Sequence, residues 1–510
     1  MKLTIDSVLS KDETRWSGVR ELTLLAIPIV ITVGSNTLMT GVDAWMVTQY
    51  GGKDYIASIM PAGLMNHVLV SFFIGIVSCV STFVGQSYGR RELRECSHYA
   101  WQGIYLSIFI ALGVMAFWPA TPAVFKFMGH SPEVQRLETL YFRLRLWGVG
   151  GAVMTVALGA FFYATSRSVI PMVAAILANL FNLVGDYALI FGKLGMPRMG
   201  IVGAAIATNI AAWLCALVML GIFLSNMIND TYGTRRTWQW DWRRAKGLFR
   251  VGWPAGMSMG MDVGSWSVFL CFLVGRFGDS QLAAASITGN ILAGSFMPTI
   301  ALGIAVTAIV GQWIGRGDVQ RARARYITAL KIGISYMMFM GIIFIIFRRQ
   351  LIGLFLDEAE VIRFGGRFLI FAALFQLFDA TAIVTGSALK GAGDTKWPMV
   401  MQIIVAWCVF LPLGYVLAFH TGLGVYGGWV GANVYIWVLG TVLFYRFLGG
   451  RWKTINIFGK ALEGAPASIE PAVRAEGTDR EPTPDAPGKD THPSDMEEDE
   501  DEFLEDTIRG

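Results

Sequence analysis

The chain has 510 residues, of which 54% are hydrophobic and only 15% are Asp, Glu, Lys or Arg, against about 25% charged residues in an average soluble protein. With a mean hydropathy of +0.52, this excludes a string of water-soluble domains and describes a mostly membrane-embedded chain. The net charge of +4 divides into an acidic end, with 16 acidic and 4 basic side chains over 461–510, and a basic remainder, a pattern that calls for no nucleic-acid partner.

Residues 1–21 are polar and mixed in charge. They show no apolar core or cleavage pattern of a removable signal peptide, so the first apolar helix is expected to act as the targeting element. A helix crosses the hydrocarbon core in about 20 residues. Twelve apolar stretches meet that length, at roughly 22–48, 56–84, 98–119, 139–163, 168–192, 200–225, 248–275, 281–312, 327–347, 364–388, 397–420 and 425–447. Lys and Arg are more than twice as frequent in the N-terminus and even-numbered connections as in the odd-numbered ones. By the positive-inside rule both termini are therefore cytoplasmic, which in a bacterial cell means the inner membrane. The longest connection, 226–247, divides the spans six and six. The expected organisation is a cytoplasmic N-terminus (1–21), an N-lobe (22–225), an inter-lobe linker (226–247), a C-lobe (248–447) and a disordered acidic tail (461–510) that cannot bury enough apolar surface to fold alone.

The halves repeat one another. Pro28 faces Pro254 and Gly85-Gln86-Ser-Tyr-Gly89-Arg90 faces Gly311-Gln312-Trp-Ile-Gly315-Arg316, both at an offset of 226. Pro171-Met172 faces Pro398-Met399 at 227, and Met199-Gly-Ile-Val-Gly203 faces Leu423-Gly-Val-Tyr-Gly427 at 224. Six spans per copy is an even number, so the copies enter from the same side. The predicted fold is an all-α membrane protein of twelve transmembrane helices in two parallel six-helix repeats around a central cleft, the architecture of a transporter.

No P-loop is present: Gly459-Lys460 is followed by Ala461 and Gly192-Lys193 by Leu194. Energy then comes from an ion gradient or a partner chain. Acids at membrane depth are rare and usually functional, and this chain has four: Asp43, Asp186, Asp262 and Asp379. Counting along the helices puts Asp43 and Asp186 in the outer half of the membrane, with Asn182 one turn before Asp186 and Thr208 at similar depth. These four form the expected cation- or proton-coupling site, able to hold a proton or to ligate Na⁺ through carboxylate, amide and hydroxyl oxygens. Asp262 and Asp379 fall near mid-membrane in the second half, a second candidate site for a cation or for substrate. Pro28 and Pro254 interrupt the first helix of each half and are candidate hinges. Five cysteines form no disulfide framework or CxxC metal site.

Taken in order, Gly41-Val-Asp43 with Gly51-Gly52, Val84-Gly85-Gln86-Ser-Tyr-Gly89, Asn179-x-x-Asn182-x-x-x-Asp186-Tyr187, Gly200-Ile-Val-Gly-Ala-Ala-Ile-Ala-Thr208, and Phe375-Gln-Leu-Phe-Asp379 leading into Ala388-Leu-Lys-Gly-Ala-Gly-Asp-Thr395 resemble the multidrug and toxic compound extrusion (MATE) family. The resemblance covers about residues 20–450. It implies two six-helix lobes around a cleft and export of drugs in exchange for Na⁺ or H⁺. By position it makes Asp43, Asn182, Asp186 and Thr208 the N-lobe cation and proton site, and Asp262 and Asp379 the C-lobe cation pair. Two positions depart from the family pattern: Asp262 stands where Glu is usual, and Ala164-Thr-Ser-Arg-Ser168, the first-half counterpart of the Gly391-Ala-Gly-Asp-Thr395 loop, lacks its glycines. The alternative is a lipid-linked saccharide flippase or other solute carrier of the same superfamily. Pyrophosphate cargo would want a basic cleft, but deep bases are few, chiefly Arg143, Arg145 and Lys331. An anionic cleft suits small organic cations. The chain is expected to work as a monomer in the bilayer, with a coupling ion, Na⁺ or H⁺, but no cofactor, and it carries no nucleophile–base or metal constellation of an enzyme.

Overall fold

The computed structural model describes residues 15–127 and 132–458; the acidic tail 461–510 lies outside the described residues. Twelve helical spans are long and apolar enough to cross a membrane. They are α1 Ser17–Val47, α2 Gly63–Gly89, α3 Leu93–Ala123, α4 Gln135–Ala164, α5 Val169–Phe191, α6 Ile201–Phe223, α7 Trp242–Arg276, α8 Asp279–Gly315, α9 Val319–Gly353, α10 Ala359–Gly391, α11 Lys396–Phe419 and α12 Val425–Leu448. Helices satisfy every backbone group internally, the condition for crossing hydrocarbon. Several spans outrun their apolar stretch because charged turns extend them into water. Thus α9 begins at Val319, capped by Asp318 accepting from the Arg321 N–H (2.8 Å), rather than at 327. Likewise α7 starts at Trp242, where the Asp241 carboxylate accepts from the N–H groups of Arg243 (2.8 Å) and Arg244 (3.1 Å). Burial pushes the Asp241 carboxyl up, but those N–H bonds and the Arg244 charge outweigh it and hold the group below the ordinary carboxylate range.

The first connection differs from expectation. The helical pattern is continuous from Arg15 to Ser78, where the sequence predicts a break after residue 48. Gly51 and Gly52 weaken a helix but leave every N–H in place. Glu21 nonetheless bonds Trp313, and Gln86 lies against Gly315, so the chain reverses between them. The helix is also unbroken at Pro28, and Pro254 lies inside the helix Trp242–Val268. Two π-helical stretches, Phe269–Leu273 in α7 and Ile404–Phe410 in α11, had no counterpart in the sequence reading.

The repeat is preserved bond by bond. After α4, the N–H groups of Thr165, Ser166 and Arg167 donate to the carbonyls of Phe161, Tyr163 and Phe162. After α10, those of Ala392, Gly393 and Asp394 donate to Ala388, Lys390 and Leu389 in the same pattern. Ser166 takes a φ of 59° where Gly393 takes 87°. The glycine-free loop therefore has the same backbone, with serine held in the left-handed region, and Gln312 Nε2 donates to its Oγ (3.1 Å).

The lobes meet where α2 crosses α8. Each carries a Gly-x-x-x-Gly pair, Gly85/Gly89 and Gly311/Gly315, and a Cβ on Gly89 would lie 2.0 Å from the Gln312 carbonyl oxygen, one on Gly315 2.1 Å from that of Gln86. Beside the crossing, Gln86 Nε2 donates to the Gly391 carbonyl (3.1 Å) and Gln312 Nε2 to the Ala164 carbonyl (2.8 Å), a reciprocal exchange between lobes. Thr82 Oγ1 adds a bond to the Lys390 carbonyl (2.9 Å). The start of α1 crosses over too: Leu22, Leu25, Ala26 and Ile29 pack in the core of the second lobe, and Glu21 forms an ion pair with Arg325 (2.6 Å). Among the described residues, these cross-lobe polar bonds gather at the end of the bundle that carries the start of α1.

Gly89→Ala should lower stability by about 1–3 kcal/mol through overpacking at the crossing. Gly113→Ala, in α3 with open space around it, should raise it by about 0.5–1 kcal/mol through helix propensity. Thermal unfolding of the two purified variants in one detergent checks the pair; equal shifts would mean the crossing is not tight.

Candidate functional site

Two carboxylate centres lie between the helices of the bundle, one in each lobe. In the first, Asp186 and Asn182 are buried on one face of α5, and Asn182 Nδ2 donates to Asp186 Oδ2 (3.1 Å). Asp43 of α1 lies close enough to Asp186 for the two carboxyl groups to act on one another, and the Arg145 guanidinium on α4 acts on both electrostatically. One oxygen of each, Asp43 Oδ1 and Asp186 Oδ1, is buried without a hydrogen-bond partner among the described residues. Two carboxylates this close, one buried and one half-buried, repel unless something positive sits between them, so the pair favours a shared proton or a bound cation. Thr208 is placed differently from the expectation. Its hydroxyl donates to the Ala204 carbonyl of its own helix (2.8 Å), leaving only its acceptor lone pairs for a ligand.

The surroundings explain how α1 and α5 are held. One turn before Asn182, Asn179 Nδ2 donates to Ser35 Oγ (2.7 Å) and Asn36 Oδ1 (2.9 Å). At the far end Met46 and Val47 pack with Ile190, Ile201 and Ala204, so an apolar plug joins the end of α1 to the end of α5 and the start of α6. A groove of about 520 Å³ between α1 and α5, lined by Ser35, Met39, Val42 and Asn179 among others, runs alongside.

In the second lobe, Asp262 and Asp379 are near enough for the Asp262 charge to act on Asp379, but they share no hydrogen bond. Asp262 Oδ1 instead accepts from Gln402 Nε2 of α11 (2.9 Å) and from the Tyr435 hydroxyl of α12, and Gln402 Nε2 also contacts that hydroxyl. Tyr435 is fully buried, its ring stacked on Phe410 at 5.2 Å, with Trp266 beside both. Asp379 carries no hydrogen bond or ion pair among the described residues. Gln402 and Tyr435 were missed by the sequence reading, since a Gln and a Tyr in apolar helices are common and no local pattern couples them to a residue 140 or 173 positions away.

The basic residues counted as deep are also resolved. Arg143 donates to Thr121 Oγ1 (2.8 Å) and to the Trp118 carbonyl (3.3 Å), and Lys331 is exposed. Lys390, assigned by sequence to a connection, belongs to the last turn of α10, near Cys79. Among the described residues no group of three or more His, Cys, Asp and Glu could hold a metal ion.

The MatE family model matches the chain twice, over residues 28–188 and 256–416, one match per half. A probable multidrug resistance protein NorM of Mesorhizobium japonicum is 31% identical over 453 residues, covering 87% of this chain and 97% of the relative. A multidrug resistance protein NorM of Burkholderia vietnamiensis is 29% identical over 437 residues, covering 83% and 92%. Among solved structures, the eukaryotic MATE transporter AtDTX14 superposes with a TM-score of 0.77 at 20% identity, over 86% of this chain and 96% of its own. An outward-facing multidrug resistance MATE family transporter gives 0.78 at 20% identity, over 86% and 97%.

Tyr435→Phe keeps the ring stacked on Phe410 and removes one donor from Asp262, so it should cost about 1 kcal/mol of stability. A Tm unchanged from wild type would show that the phenol does not hold Asp262.

Proposed function

The chain belongs to the MATE family of multi-pass efflux transporters, and on that footing we propose that it is a secondary antiporter, exporting cationic or amphipathic organic compounds in exchange for Na⁺ or H⁺. Membership makes it an ion-coupled transporter rather than an enzyme. The observation that carries the coupling proposal is the closeness of the Asp43 and Asp186 carboxylates, each with one buried oxygen left unpartnered among the described residues and one of them bonded by Asn182. A pair that favours a positive charge between its members is a site a proton or Na⁺ can occupy and leave. Asn182 and Thr208 supply further oxygens for Na⁺, a hard cation that wants several.

The positive-inside distribution supports a chain in the cell's inner membrane with both termini in the cytoplasm. The cross-lobe bonds around Gln86, Gln312 and Glu21 then close the cleft on the cytoplasmic side, and the cleft opens outward. Pro28 and Pro254 are the proposed hinges: each lacks the N–H that would tie it to the preceding turn, and Thr32 Oγ1 donates to the Pro28 carbonyl (2.8 Å) at the first of them. Asp262 and Asp379 are the proposed substrate-facing acids, their charge suited to organic cations. The flippase alternative asks for several free bases, whereas Arg143 is committed to Thr121 and Trp118. The transporter works as a monomer.

Asp43→Asn should abolish export of an organic cation while leaving insertion normal, because the change lowers the cost of burial and deletes the exchangeable site. Wild-type efflux by a well-expressed variant overturns the site. Of the two lobes, the first offers two carboxylates close together, whereas Asp262 is already engaged by Gln402 and Tyr435. Asp186→Asn should therefore remove the dependence of uptake on an imposed Na⁺ or proton gradient in proteoliposomes, and Asp262→Asn should mainly change substrate affinity. The reverse result would move coupling to the second lobe. Truncation after residue 463 should leave transport intact, as an acidic segment of that composition contributes no core; loss of transport at normal expression would show that the tail docks.

A further inference from the structure

The connection between the lobes has features that transport leaves unexplained. From Gly233 to Asp241 the chain has no regular secondary structure, yet it runs along α3, a span that is mostly unburied and so faces lipid. Irregular backbone at the membrane boundary needs partners for its polar groups, and α3 supplies them. Trp101 Nε1 donates to the Thr234 carbonyl (2.8 Å), Gln102 Nε2 to the Gln239 carbonyl (3.1 Å) and the Tyr105 hydroxyl to the Trp238 carbonyl. The Asp241 N–H donates to Gln102 Oε1 (3.2 Å), and the hydroxyls of Ser97 and Thr237 share a bond of 2.6 Å.

With its backbone tied inward, the segment turns its indoles out. Trp238, Trp240 and Trp242 are 59%, 43% and 68% exposed. Trp240 meets Tyr105 and Phe109 of α3 edge-on and also meets Trp242, so these four rings are in contact, with Trp238 exposed beside them in sequence. Exposed arginines flank these rings in sequence: Arg235, Arg236 and Arg243. The side chains of Arg236 and Arg243 make no hydrogen bond or ion pair among the described residues and Arg235 spends only Nε, on the Leu224 carbonyl (2.8 Å), whereas Arg244 is consumed by Glu95 (2.6 Å) and Asp241. Indoles favour the boundary between headgroups and acyl chains, and fixed cations beside that boundary attract anionic headgroups.

We propose that residues 233–243 form a lipid-binding ledge that takes an anionic phospholipid, with the phosphate held by Arg235, Arg236 and Arg243 and the acyl chains lying over Trp238, Trp240 and Trp242. The ledge rests on the reading of the chain as a multi-pass membrane protein and is independent of what is transported. It fastens the junction of the two lobes to one leaflet, giving their movement a fixed point in the bilayer.

Native mass spectrometry of the full-length protein, extracted from mixed phosphatidylglycerol and phosphatidylcholine bilayers, tests this without any transport readout. Wild type should retain phosphatidylglycerol over phosphatidylcholine. R235Q/R236Q/R243Q should lose that preference by about a hundredfold, the combined effect of three cations near an anionic surface, while R276Q/R349Q/R363Q, at the opposite end of the bundle, should keep it. Should the first variant fold poorly, the comparison is between wild type and W238F/W240F/W242F reconstituted with brominated phosphatidylglycerol, where wild type should lose more tryptophan emission than it does with brominated phosphatidylcholine and the variant should not. Equal retention of both lipids by wild type, an unchanged preference in R235Q/R236Q/R243Q, or equal quenching by the two brominated lipids would each overturn the ledge.

Discussion

The crossing of α2 and α8 is the contact on which the arrangement of the lobes depends. Lipid is as apolar as leucine, so two helices in a bilayer gain little from hiding apolar side chains from it. They associate through close packing and hydrogen bonds. Gly89 and Gly315 provide the packing, each giving its missing side chain's space to the carbonyl of the opposite glutamine. Gln86 and Gln312 provide the bonds, reaching past the crossing to the last carbonyls of α10 and α4. An interface of neutral amide bonds and glycines holds a defined geometry, but each bond is modest in net strength.

Around that crossing the two halves are copies; at the carboxylates they are not. The turns after α4 and α10 repeat the same three backbone bonds, even though one is built on glycine and the other on Ser166. At the offset of 226 that relates Pro28 to Pro254, the position of Asp262 is taken in the first half by Asn36. That Asn accepts from Asn179, whereas Asp262 accepts from Gln402 and Tyr435. The same place in the fold is a neutral clamp in one lobe and a charge in the other. Asp43 and Asp186 have no acidic counterparts: their positions in the second half, at the local offsets of 226 and 227, are Phe269 and Leu413. The scaffold is common to both halves, and the chemistry of each lobe resides in a handful of positions at which they differ.

Much of this was legible in the sequence because bilayers impose a simple code. Apolar length marks the spans, and their ends extend only where charged turns such as Arg321–Arg325 carry a helix into water. The repeat offset pairs Gln86 with Gln312, the two residues that exchange reciprocal bonds, and counting along α1 and α5 puts Asp43 and Asp186 at one depth, where their carboxyl groups lie close. What stayed hidden depends on contacts between distant residues. Nothing near Gln402 or Tyr435 marks either as a partner of Asp262. The π-helical stretches in α7 and α11 follow from packing, since Phe269 and Phe410 meet there at 5.3 Å, and periodicity cannot report one inserted residue. Thr208 shows what depth leaves out: its depth matches the carboxylates, but only the fold shows that its hydroxyl proton goes to the carbonyl four residues back, leaving its lone pairs for a ligand.

The two ends of α1 connect these features. Its first turns pack in the second lobe, with Leu22, Leu25 and Ile29 in its core beside α8 and α9 and Glu21 paired to Arg325. Its last turns belong to the first lobe, where Asp43 lies close to Asp186 and Met46 and Val47 close the pocket. Between them lies Pro28, where the helix lacks one backbone bond and Thr32 Oγ1 donates to the proline carbonyl. A single span therefore touches the proposed coupling site with one end and the closed side of the cleft with the other. Some 22 residues at 1.5 Å each separate Glu21 from Asp43, about 33 Å of helix. Filling or emptying the carboxylate pair changes the repulsion between α1 and α5, and a change in the angle of α1 at that end must be absorbed either at Pro28 or by its footing in the second lobe. On the proposed function, the covalent backbone of α1 is then sufficient to join ion binding to the cleft, without a chain of side chains crossing between the lobes.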